Sequence, residues 1–349
     1  MNINYQLRKE TKMTIEELRT KLEDIIDPTL GITLKESDGI KHLGYDKEKD
    51  VVTMILSIGK LGGDNETLLR RNVARVVKID CKFKGLRLQV EESKIYGSIT
   101  KKKVNFIGVV SGKGGVGKSS VAANIAYRLM KKGLHVGIID ADIYGSSIPT
   151  ILEVPHRTPS YNEEKKILPI EKDGIEIIST EFFTDESQPV IWRGGMLNSM
   201  LSHFFYDIKW HDDTKFVIID FPPGTGDVSL DIKNIVPQAK MLLVTTPHPS
   251  ASHVAVKAGF ALKTLGHELL GVIENMSYFI NPLNQEKEYI FGTGGGEKVA
   301  EDLDTELIAK IPIAQPKYHQ DIFEIDEENG KIFDMIADFI IYKCNDNEN

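Results

Sequence analysis

A chain of 349 residues, 41% hydrophobic and 27% charged, is long enough for two or three domains with real interiors. The formal net charge of −8 counts against a protein that coats nucleic acid, and two cysteines, Cys81 and Cys344, cannot build a disulfide framework and fit a reducing cytoplasm. No apolar run approaches the length of a membrane span, and the polar opening MNINYQLRKE does not read as a secretory signal.

Residues 1–95 read as a separate small α/β unit. Thr14 is placed to cap a helix, and Glu17, three residues on, completes a capping box. Leu18, Leu22, Ile25 and Ile26 share one face of that helix, which stops near Asp27-Pro28. Residues 40–43 and 51–58 then read as the strands of a hairpin, followed by a helix over 65–77 and a strand near 85–90. Cys81 fits a buried structural thiol, with a metal ligand as the other reading. Residues 96–103 read as a linker. Its Lys101, Lys102 and Lys103 either solvate a strand entrance or favour an anionic partner.

From 104 to 349 the pattern becomes that of a nucleotide-binding α/β domain. Residues 104–110 are a short apolar run and read as a buried strand. A glycine-rich turn follows, Lys118 opens a segment of helical spacing, and a second apolar run, 134–139, ends at Asp140. Strand, loop, helix, strand is the first βαβ unit of such a domain. Gly112-Lys113-Gly114-Gly115-Val116-Gly117-Lys118-Ser119 fits the pattern G-x-x-x-x-G-K-[ST]. The glycines let successive backbone N–H groups turn toward phosphate oxygens, and the following helix N-terminus favours negative charge. Lys118 supplies a point charge near the β- and γ-phosphates, and the Ser119 hydroxyl can ligate Mg2+. The predicted nucleotide contacts are therefore Gly112, Gly114, Gly115, Val116, Gly117, Lys118, Ser119 and Ser120. Lys113, a second lysine inside the loop, is either a solvated charge or a functional one.

Carboxylates just past the carboxyl ends of parallel strands face the crevice where such sheets bind ligands. Asp140 and Asp142 stand there, with a strand-end cap and a helix cap as their plainer roles. Residues 215–219 read as another buried strand ending in Asp220, before the loop Phe221-Pro-Pro-Gly-Thr-Gly-Asp227. A strand-terminal aspartate ahead of a glycine-containing loop is the expected place for a second magnesium-side acid. Residues 241–246 and 270–274 read as further strands, the second leading into Glu274-Asn275-Met276. Asn275 is otherwise a common turn residue. Residues 331–343 read as a helix with an apolar stripe. Asp334, Asp338 and the scarcity of basic residues count against anionic lipid and for packing onto the sheet.

GKGGVGKS with its second lysine resembles the deviant Walker A family of dimeric ATPases, which includes MinD, ParA, the nitrogenase iron protein and Mrp. DADIYGSSIP, DFPPGTGD, Trp192-Arg193-Gly-Gly-Met196 and ENMSY are similar to their counterparts in Mrp-type iron–sulfur cluster carriers. The Asp27-Pro28 turn followed by a strand pair resembles the small MIP18-like domain of iron–sulfur assembly factors. The resemblance spans essentially the whole chain. It implies an α/β protein: a P-loop NTPase domain with a mostly parallel sheet, preceded by a small α/β domain. It implies ATP and Mg2+ as cofactors and a homodimer in which Lys113 reaches the partner's nucleotide. In that family pattern Asp142 orients the attacking water, and Ser119, Asp140 and Asp220 hold Mg2+, partly through water. Gly224 lies near the phosphate, and Asn275 hydrogen-bonds the adenine edge. Trp192 belongs to a dimer-facing or switch-coupled loop, or simply packs. The implied activity is a cytoplasmic ATPase that loads iron–sulfur clusters onto apo-proteins or works with an assembly scaffold, away from membranes.

One departure stands out. Typical carriers have Cys-x-x-Cys a few residues past the ENM segment, and two copies supply four thiolates to a bridging cluster. Here Asn281 and Asn284 occupy those positions, and amides are poor ligands for cluster iron. Either cluster binding is lost or it uses other groups. SalA-type relatives lack the cysteine pair and share a run like PHPSAS at 247–252. They keep open an ATP-switched regulator of DNA or protein, although no helix-turn-helix is evident. A MinD-like positioning ATPase is a third class.

Overall fold

The computed structural model describes residues 14–28, 33–35, 37, 39–59, 61–92, 104–142, 145–183, 203–205, 207–224, 236 and 238–345. The linker 96–103, the Trp192-Arg193 run and the loop beyond Gly224, with Asp227, lie outside them. The chain divides into two compact units, Met1–Lys101 and Lys102–Asn349.

In the first unit, α1 (Ile15–Glu23) begins at the expected capping box: Thr14 Oγ1 accepts from the Glu17 amide at 3.2 Å, and Glu17 Oε2 accepts from the Thr14 amide at 2.8 Å. Leu18 and Leu22 are fully buried, but Ile26, expected on the same face, is 56% exposed. The helix stops at Glu23, so Ile26 falls into a bridge with Thr33 instead. Strands β1 (Ile40–Asp46) and β2 (Val51–Ile58) form the antiparallel hairpin, and β3 (Gly85–Glu92) pairs with β2 in parallel. A parallel neighbour needs a crossover. It is supplied by α2 (Gly63–Arg75), which runs on into a π-helical turn at Val76–Asp80. Cys81 sits in this core beside Leu18, Val73 and Phe83, and burial pushes its thiol pKa up.

In the second unit the elements follow as β4 (Asn105–Ser111), α3 (Lys118–Lys131), β5 (His135–Asp140), α4 (Ile148–Ile151), β6 (Ile170–Lys172), β7 (Ile175–Ser179) and β8 (Thr214–Asp220). Then come β9 (Lys240–Thr245), α5 (Pro249–Thr264), β10 (Glu268–Glu274), β11 (Phe279–Ile280), β12 (Lys287–Glu288), α6 (Gly295–Asp302), β13 (Leu307–Lys310) and α7 (Glu328–Asn345). Eight strands form one sheet in the order β13-β10-β9-β4-β8-β5-β7-β6, parallel except for β6 at the edge. Helices cover the central strands, which is why these read as unbroken apolar runs rather than alternating ones. From β4 the chain passes over to β5, returns to lay β8 between them, and then adds β9 on the other flank. This reversal opens a crevice at the carboxyl ends of β4 and β8.

The last helix is longer than the expected 331–343, and Cys344, just past that expected end, is 2% exposed inside it. Its stripe continues from Ile340 one turn on to Cys344 and stays against the core. Asp334 accepts from Arg128 at 3.1 Å and from Lys132 at 2.8 Å on α3, which ties the last helix to that one. No helix among the described residues is long and apolar enough to cross a membrane.

The tightest link between α3 and the C-terminal segment is Asn124, which is fully buried. Its Nδ2 donates to the Ser120 and Asp321 carbonyls at 2.8 Å each, and its Oδ1 accepts from the Phe323 amide at 2.9 Å. Asn124→Ala leaves buried backbone groups unpaired and should destabilise the unit by about 1–3 kcal/mol. Urea denaturation followed by far-UV circular dichroism would read this, and an unchanged midpoint would refute the account.

Candidate active site

The phosphate loop is shaped by what presses on it. β4 delivers Ser111 to the crevice, where its Oγ donates to the Lys113 carbonyl at 3.0 Å. Gly115 and Gly117 carry φ of 79° and 80°, a region that disfavours side chains. At Gly117 a Cβ would also run into the Asn275 amide nitrogen. That nitrogen donates to the Val116 carbonyl at 2.9 Å, so Asn275, expected at the adenine edge, braces the loop in this arrangement. Met276, the next residue, is left-handed at φ 54°, a costly conformation for a long side chain, and its Cε lies against the same glycine. Gly112 faces α5 instead: a Cβ there would come within 2.5 Å of the Val254 carbonyl carbon and oxygen.

Three acids converge on Lys118. Its ammonium, on a side chain 6% exposed, lies 2.5 Å from Asp220 Oδ1 and 3.7 Å from Asp142 Oδ2. Ser119 Oγ donates to the other Asp220 oxygen at 2.6 Å. Asp140 is fully buried beside them and performs the capping role open to it. Its Oδ2 accepts from the Ser147 and Ile148 amides at 3.2 and 3.3 Å, and from Ser179 Oγ at 3.2 Å, while its Oδ1 accepts from the Asp142 amide at 3.3 Å. Burial and then the Asp220 carboxylate push the Asp140 carboxyl up to about 8. Burial raises Asp220 as well, against the pull of Lys118 and Ser119. One ammonium thus serves three carboxylates. The oxygens of Ser119, Asp140 and Asp220 form a hard donor set, which suits Mg2+ rather than a soft metal.

The loop after β8 latches onto the phosphate loop. Gly224, at φ 95°, donates its amide to the Ser111 carbonyl at 2.8 Å, and Pro223 Cγ lies 3.8 Å from where a Gly114 Cβ would stand. Ser120 stays on the first turn of α3, its carbonyl held by Asn124. Lys113 is exposed, apart from the buried acids.

Asn281 and Asn284 do something definite. The Asn281 side chain accepts from the Leu283 amide at 2.9 Å and donates to Glu288 at 2.6 Å. Asn284 accepts from the Glu286 amide at 3.0 Å and donates to the Glu286 carboxylate at 2.9 Å. They close the turn between β11 and β12 as Asx residues do. The cysteines offer no substitute, since both are buried and neither forms a disulfide.

Sequence reasoning missed Glu274. Buried at the end of β10, it accepts from Ser277 Oγ at 2.6 Å and from the Gly296 amide at 2.5 Å, tying the Asn275 segment to the start of α6. Its place directly before Asn275 was the only available signal.

Residues 102–335 match the model of the NUBPL iron-transfer P-loop NTPases within the ParA group. The iron–sulfur cluster carrier protein of Bacillus subtilis is 38% identical over 341 residues, 92% of this chain and 96% of its own length. That of Synechocystis is 34% identical over 86% of this chain and 87% of its own. Among solved structures, a nucleotide-binding protein of Archaeoglobus fulgidus in complex with ADP superposes with a TM-score of 0.52 at 28% identity, over 69% of this chain and 90% of that one.

Because Gly112 is pressed against α5, Gly112→Ala should weaken ATP binding by about tenfold or more. Titration with a fluorescent ATP analogue would measure it, and wild-type affinity would show that α5 yields to the methyl group.

Proposed function

This chain belongs to the Mrp-type family of NUBPL-like iron-transfer P-loop NTPases, and on that footing we propose that it is a Mg2+-dependent, homodimeric ATPase serving iron–sulfur cluster assembly. The observation that carries the ATPase is the convergence of Lys118, Ser119, Asp142 and Asp220 at the mouth of the phosphate loop. Bound Mg2+ supplies neutralisation of the phosphate charge, and Ser119 and Asp220, with Asp140 behind them, are the residues to hold it.

The rest falls to the chain's own groups. A triphosphate entering the loop offers the Lys118 ammonium a denser set of anionic oxygens than Asp220 alone, so the lysine turns from the acids to the phosphates. Released from that partner, the Asp142 carboxylate orients a water for in-line attack and takes up its proton's hydrogen bond. Gly224, bonded to Ser111, links departure of the γ-phosphate to the loop that follows it. The exposed Lys113 reaches the nucleotide of a second copy, which makes ATP the closing element of the dimer. Asn275 holds the loop from the base side.

The cluster is cargo, and its usual ligands are absent. The residues at 281 and 284 are spent on a turn, and the two thiols of the chain are buried in separate units, so no step is routed through a cluster held by this chain. The protein acts instead as the ATP-driven partner of an apo-protein during cluster insertion. The same two observations favour one second reading, an ATP-switched regulator of DNA or a protein.

Asp142→Ala should keep ATP affinity and lower turnover by about 10²–10⁴-fold. Lys113→Ala should abolish ATP-dependent dimerisation in size-exclusion chromatography with light scattering. The cargo reading is tested by anaerobic insertion of a cluster into an apo-protein from iron, sulfide and thiol. Acceleration that needs Mg-ATP and fails with Asp142→Ala supports it. Intact ATP turnover without acceleration overturns it in favour of the regulator, for which a nucleotide-dependent gel shift is the next measurement.

A further inference from the structure

At the other end of the same sheet, the strands that finish at Asp140 and Asp220 begin beside a second cluster. His135 is the first residue of β5, and its register partner is Thr214, the first residue of β8. The turn leading into β8 carries His211 and Asp213. The His135 and His211 rings stack with centroids 4.6 Å apart and planes inclined by 6°. The Asp213 carboxylate lies 4.0 Å from His211 Nδ1. One ligand atom from each of these residues falls within 4.8 Å of the others, and all three side chains are exposed.

The scaffold around the three is fixed. Glu176 on β7 grips the turn with both oxygens, accepting from the His211 amide at 2.7 Å and from Thr214 Oγ1 at 2.6 Å. Lys209 is paired with Asp212 at 3.0 Å. The Asp213 amide donates to His211 Nδ1 at 3.2 Å, which holds the ring against the turn, and an ion bound at that nitrogen displaces this hydrogen bond.

We propose that His135, His211 and Asp213 form a surface site for a borderline divalent transition ion such as Zn2+, remote from the nucleotide crevice. Two imidazoles and one carboxylate suit zinc, cobalt or ferrous iron far better than Mg2+. Parallel rings cannot aim two in-plane lone pairs at one ion. His135, at an exposed strand start, therefore turns about its side-chain bonds while His211 holds position. With three protein ligands at the surface, the ion keeps water in its remaining positions, as a loading site does and a closed structural site does not.

The test is isothermal titration of the full chain, stripped with chelator, with Zn2+ in excess Mg2+ so that the carboxylates of the nucleotide end are occupied. One zinc per chain is expected, weakened at least about tenfold by His135→Ala and by His211→Ala. His203→Ala, an exposed histidine paired with Asp207 elsewhere, should bind as wild type does. Circular dichroism of each variant checks that the fold persists. No zinc bound, or equal binding by the two site variants, overturns the proposal.

Discussion

The catalytic half of this protein depends on a shortage of positive charge. Asp140 and Asp220 are carried to the same depth by neighbouring strands paired in register, Asp140 directly against Asp220, and among the described residues only Lys118 brings an ammonium to Asp220. Unpaired, either buried carboxylate would cost several kcal/mol. The structure relieves Asp140 with three amides and a serine hydroxyl, and Asp220 with one ammonium and one hydroxyl. What remains is a site short of positive charge and a lysine ready to exchange its partner. The glycines, the bracing asparagine and the left-handed Met276 all serve to keep that lysine at the loop's mouth.

Much of this was legible in the sequence, for physical reasons. Strands buried on both faces leave continuous apolar runs, and each of those runs ended at a residue that now stands in the crevice. The phosphate loop announced itself because its backbone geometry restricts composition at fixed spacing. Less legible was whatever depends on partners far away in the chain. Asn124 looks like an ordinary helix residue until Asp321 and Phe323 arrive beside it. Gly112 looks like any loop glycine until α5 packs on it. The antiparallel edge formed by β6 and β7, and helices α5 and α6, lack the long uninterrupted apolar pattern that betrayed the central strands. Cys344 was misplaced because a polar tail following it masked the last turn of the stripe.

The turn between β11 and β12 is built by its two asparagines. Both asparagines accept backbone amides two residues ahead, so they shape the turn itself. Their amide groups also hold Glu286 and Glu288. Amide oxygen and nitrogen are hard donors and carry no thiolate to offer iron.

The clasp between α3 and the C-terminal segment has a temporal side. Arg128 and Asp334 are 206 residues apart in sequence, yet they meet on the outer face of the helix that follows the phosphate loop. During synthesis at roughly 5–20 residues per second, the face of α3 waits about 10–40 s for its cover to leave the ribosome. Throughout that interval the nascent chain displays Tyr127, Arg128 and the apolar stripe around them to whatever is nearby. A ribosome that stalls beyond β13 holds a domain complete in its sheet but open along its back.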